Sequence, residues 1–112
     1  MNSRVYIETT IISYLTAWRS PQLVMAAHQE ATRQWWDDER HHFDLYVSEA
    51  VIEEASAGDA EAAERRLDAI QGIAALTITT EVRDLAKALI EHGQLPRKAS
   101  VDALHIATAT VN

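Results

Sequence analysis

The sequence predicts a single α/β domain, residues 1–112, three layers deep and built on a short parallel sheet. Two observations predict it. Short apolar runs alternate with longer amphipathic ones, the pattern of strands joined by crossover helices. Acidic residues also stand at points where strands end and helices begin, where an open α/β sheet gathers its functional groups.

Arg4 to Glu8 reads as a nearly continuous apolar strand, as in a parallel sheet buried on both faces. Thr9 or Thr10 is the expected cap of a short helix, Ile11 to Trp18, because a Thr hydroxyl accepts from a free helix N–H. Ser20-Pro21 starts the next helix, with Pro at a favoured first position. That helix runs from Gln22 to about Arg40, with Leu23, Ala26, Ala27, Ala31, Gln34 and Trp35 near one face. The cluster from Asp37 to His42 ends it as a solvated turn.

Phe43 to Val47 is the second strand. Ser48 caps a short helix, Glu49 to Ala57, which Gly58 stops. Asp59 caps the helix from Ala60 to about Gln71. Ala75 to Ile78 is the third strand. Thr79 or Thr80 caps the helix from Glu81 to His92, and Gly93 ends it. Gln94 to Arg97 is a loop, and the last helix begins near Lys98. Asp102, Ile106 and Ala109 stack at helical spacing, in line with the expected core face.

Composition narrows the function. The 112 residues are 47% hydrophobic and 24% charged, enough for a packed core. No apolar run is long enough to span a bilayer, and no signal-peptide pattern surrounds Arg4, so a cytoplasmic location is the default. With no cysteine there is neither a disulfide framework nor a thiolate metal site. The net charge of −7 argues against a generic nucleic-acid binder, which carries a basic surface.

Glu8, Glu54 and Asp102 are the candidate site. Carboxylates gathered in one crevice repel unless a cation lies between them, and a hard divalent ion such as Mg²⁺ or Mn²⁺ takes oxygen ligands. That chemistry points to metal-assisted phosphodiester cleavage. Bland readings compete. Glu8 can mark a strand end, and Asp102 can be a first-turn acid favoured by the helix dipole. Glu49 and Glu53 share a helix with Glu54, which is rotated about 100° from Glu53. Thr9 and Thr10 can be caps alone. His105 lies three residues after Asp102 and could contact the site, but reads first as a surface or packing residue; His41-His42 reads as a solvated turn, and Trp18, Trp35 and Trp36 as core or interface. Arg97 and Lys98 are the best candidates for a phosphate contact, with a solvated loop as the favoured reading.

The ordered trio Tyr6-Ile7-Glu8-Thr9-Thr10, Val47-Ser48 through Glu54 to Gly58, and Asp102-Ala103-Leu104-His105-Ile106-Ala107 resembles a PIN domain, in particular VapC-type toxins of toxin–antitoxin pairs. The resemblance spans the whole chain. It implies an Mg²⁺- or Mn²⁺-dependent ribonuclease acting on RNA, with Glu8, Glu54 and Asp102 as metal ligands and Thr10 holding a water. It also implies a small antitoxin partner and a homodimer. The family usually places Asp where this chain has Glu8, whose carboxylate lies about 1.5 Å further out. Family members also continue into a strand beside the first one, carrying a fourth ligand. The sequence stops at Asn112, so a truncated member with an exposed first strand is expected. The rival expectation is a non-catalytic module that keeps the antitoxin-binding or dimerisation surface.

Overall fold

The computed structural model describes residues 2–93 and 95–112. Gln94, in the expected loop, and the side chain of Arg97, an expected phosphate contact, lie outside the described residues. The strands β1 (Ser3–Tyr6), β2 (Phe43–Ser48) and β3 (Ala74–Leu76) form a parallel sheet in the order β1-β2-β3. Tyr6 stands opposite Tyr46, and Ser48 opposite Leu76. Side chains alternate across a strand, so Val5, Leu45 and Val47 share one face of the sheet. Tyr6, Tyr46 and Ser48 share the other.

Helices flank the sheet: α1 (Thr9–Thr16), α2 (Leu23–Asp38), α3 (Glu49–Ala55), α4 (Ala60–Ala69), α5 (Thr80–Glu91) and α6 (Ser100–Val111). One core joins Ile7, Ile12, Trp36, Val47, Val51, Ala55 and Ile70, with Val5 and Leu45 packed against it. A second core is the α5–α6 pair, where Val82 and Ala86 meet Ala103 and Ala107. The small alanines let the two helices approach closely. Among the described residues, no helix is long and apolar enough to cross a membrane.

Three expected caps are present. Ser48 Oγ accepts from Val51 N at 3.2 Å, Asp59 from Ala62 N at 3.0 Å and Thr79 from Val82 N at 3.2 Å. Gly58 follows α3 with φ of 82°, a left-handed backbone that glycine adopts without strain. The boundaries differ by up to a few residues. β3 starts at Ala74 rather than Ala75, and α6 is preceded by a 3₁₀ turn, Arg97–Ala99. Pro21 lies before the N-cap of α2, which is Gln22.

Two expectations change. β1 lies at the edge of the sheet, and it is not buried on both faces, since Ser3 and Arg4 are exposed. Its ladder continues only to Ile7 N, which donates to Tyr46 O at 2.8 Å. Glu8, not Thr9 or Thr10, is the N-cap of α1, and its side chain accepts from Thr10 N at 3.0 Å.

Candidate active site

β1 and β2 both run toward one edge of the sheet, and each delivers a hydroxyl there. Tyr6 Oη lies 2.7 Å from Ser48 Oγ, a pairing that follows from their shared face. α6 brings His105 Nδ1 to 2.6 Å from the same phenol. On its other side, His105 Nε2 lies 2.6 Å from Glu54 Oε1, at the C-terminal end of α3. Thr9 Oγ1, in the first turn of α1, donates to that same oxygen at 2.7 Å. Five side chains from β1, β2, α1, α3 and α6 therefore form one continuous polar network.

Burial differs along the network. Ser48 is fully buried and His105 is 6% exposed, whereas the Glu54 side chain keeps 37% of its surface in solvent. The network thus has a dry end at Ser48 and a wet end at the Glu54 carboxylate. Burial pushes the Tyr6 phenol up from its ordinary value of 10.0, although the Ser48 hydrogen bond pulls it down. The negative charges of Glu54 and Glu8 push it up further. Both carboxylates therefore act on one group, and the phenol stays protonated at neutral pH.

The expected site residues are placed unequally. Glu8 follows β1 and is half-buried, with one carboxylate oxygen on Thr10 N. Of the three acids on α3, Glu54 is the one in the network. Glu53 is exposed, and Glu49 is exposed with a long 3.4 Å contact to Ile78 N. Thr10 is exposed and enters through its backbone, whereas the Thr9 hydroxyl reaches Glu54. Asp102 is exposed in the first turn of α6, one helical turn before His105.

The face of α6 that carries Asp102, Ile106 and Ala109 is exposed, not the core face. Ala103, His105, Ala107 and Thr108 are the buried residues. Among the described residues, no three His, Asp or Glu side chains are gathered as a cation-holding group. The donor chemistry nonetheless fits a hard divalent ion. Glu8 and Glu54 each use one oxygen in a hydrogen bond, and each keeps a second oxygen with no such partner among the described residues. Such oxygens suit Mg²⁺ or Mn²⁺.

The sequence marks Tyr6 only as a strand residue and His105 first as a surface or packing residue, yet both belong to the network. The signal for Tyr6 was available, because a phenol in an otherwise apolar strand requires a partner when buried. An open cavity of about 410 Å³ runs along β1 between Arg4, Tyr46, Leu76 and Asn112. Of the site residues it touches only Tyr6.

A family model described as PIN domain matches residues 5–112. No curated protein and no solved structure matches the chain.

Proposed function

This chain belongs to the PIN domain family, whose members are generally nucleases, and we propose that it is a metal-dependent endoribonuclease, the toxin of a toxin–antitoxin pair. The observation that carries the reading is the meeting of Glu54 with the Glu8–Thr9–Thr10 turn at the end of β1. Glu8, Glu54 and Asp102 would hold Mg²⁺ or Mn²⁺ there. When bound, the ion supplies Lewis acidity toward an RNA phosphodiester and its attacking water.

The chain's own residues prepare the place. Thr9 fixes the Glu54 carboxylate against α1, and Glu8 closes the α1 N-terminus through Thr10 N. The exposed Thr10 hydroxyl is available to hold a water beside the carboxylates. A small antitoxin protein and a second copy of the chain are the proposed protein partners. Exposed Trp18, Leu23 and Val24, at the connection into α2, support an apolar protein contact.

A second reading is a non-catalytic PIN module that keeps only its antitoxin-binding or dimerisation surface. The exposed position of Asp102 favours it.

Metal binding separates the two readings. At a free Mn²⁺ concentration about 100 times its dissociation constant, one site adds roughly 2.7 kcal/mol. A chain of this size should then melt on the order of 10 °C higher than in EDTA. The shift should shrink in Glu8→Gln and Asp102→Asn. Equal melting with saturating Mn²⁺ and with EDTA would refute the metal site and leave the binding module.

A further inference from the structure

His105 is buried, and both of its ring nitrogens are engaged. On the Glu54 side, the donor follows from what the partner is able to do. An ionised carboxylate only accepts, so His105 Nε2 carries the proton shared with Glu54. The other nitrogen, Nδ1, shares a hydrogen bond with the Tyr6 hydroxyl. The Tyr6 phenol and the Ser48 hydroxyl share the next one. Ser48 Oγ accepts in turn from Val51 N.

The bonds form one connected chain. They leave the first turn of α3 at Val51, pass through Ser48, Tyr6 and His105, and return to α3 at Glu54. No member is short of a partner. Glu54 Oε1 receives both His105 Nε2–H and the Thr9 hydroxyl. Its two lone pairs are thereby used, and Oε2 is the oxygen left for a cation.

We infer that His105 is a positioning residue, which locks the Glu54 carboxylate by Oε1 and so presents Oε2 as the ligand atom. The inference rests on the reading of Glu54 as a metal ligand. Partners that orient a ligand in this way typically contribute about 10–100-fold in metal affinity or activity. A carboxylate released from His105 keeps only Thr9 and turns about its own side-chain bonds.

Two substitutions divide the ring between them. In His105→Gln the amide nitrogen reaches about as far as Nε2 and still donates to Glu54. In His105→Asn the shorter amide occupies the place of Nδ1 and serves only Tyr6. Mn²⁺ titration by calorimetry should show affinity lowered by about 10–100-fold in His105→Asn. His105→Gln should restore most of it. A merely structural histidine would let both variants lower the melting temperature without this asymmetry. Equal Mn²⁺ affinity in the two variants would overturn the inference.

Glu54→Gln serves as the reference. If it binds Mn²⁺ as the unaltered chain does, the metal reading fails and the inference falls with it. If it loses binding while His105→Asn keeps it, the inference alone fails. Should the His105 variants not fold, imidazole ¹⁵N spectra of the unaltered protein in mildly alkaline solution decide. The arrangement expects a proton on Nε2, and a bare Nε2 would refute it.

Discussion

Glu54→Gln is expected to lower RNA cleavage by at least about 10²-fold while the protein stays folded. Substitutions outside the ligand shell already cost about 10–100-fold, and Glu54 is proposed as a ligand itself. The isosteric amide keeps an oxygen that accepts from Thr9 Oγ1 and His105 Nε2, so the network survives. What disappears is one negative charge beside Glu8. The melting temperature without metal should therefore change little. Cleavage rates at saturating Mn²⁺, compared with circular-dichroism melts of the same samples, check both halves. A variant that cleaves at the original rate would remove Glu54 from the chemistry, whatever its hydrogen bonds.

The largest stability loss is expected in Ile12→Ala. Ile12 is fully buried in α1 and belongs to the core shared by Ile7, Trp36, Val47 and Val51. Truncating a buried Ile to Ala costs about 2–5 kcal/mol, from lost burial and the cavity left behind. That is a large share of a total stability of about 5–15 kcal/mol. The melting temperature should fall on the order of 10–20 °C. The same helix carries Thr9 and the Glu8 cap, so loosening it also loosens the hold on Glu54. Ile106→Ala, at a position 46% exposed, is the control and should stay within about 0.5 kcal/mol of the parent. Equal melting shifts in the two variants would contradict the assigned core.

The fold was largely legible because its signals are local. Ser48, Asp59 and Thr79 each precede a helix and present a side chain of capping type, and all three cap as expected. The alternation of apolar strands and helices led to a parallel sheet. Thr9 and Thr10, not Glu8, are the residues of favoured capping type here. Glu8 caps because β1 stops at Tyr6 and the chain turns directly into α1. The buried face of α6 was misjudged for a different reason. Asp102, Ile106 and Ala109 include a large apolar residue, whereas the core uses Ala103 and Ala107, whose value lies in letting α5 come close.

The carboxylate network was the least legible part. Tyr6 and His105 are separated by 99 positions. Their meeting depends on where tertiary packing puts α6 relative to β1, which no local pattern encodes. Glu54 stood out from Glu49 and Glu53 only by its place in the family motif. In the folded chain, distance separates them: Thr9 and His105 reach Glu54 alone.

Cleavage of a mixed single-stranded RNA by the purified chain, with Mn²⁺ and again with EDTA, tests the central claim most directly. The account predicts Mn²⁺-dependent cleavage that EDTA stops and that is lost in Asp102→Asn, the candidate ligand on the exposed side of α6. Cleavage that persists in EDTA, or that Asp102→Asn leaves unchanged, would contradict a metal site built on these three acids.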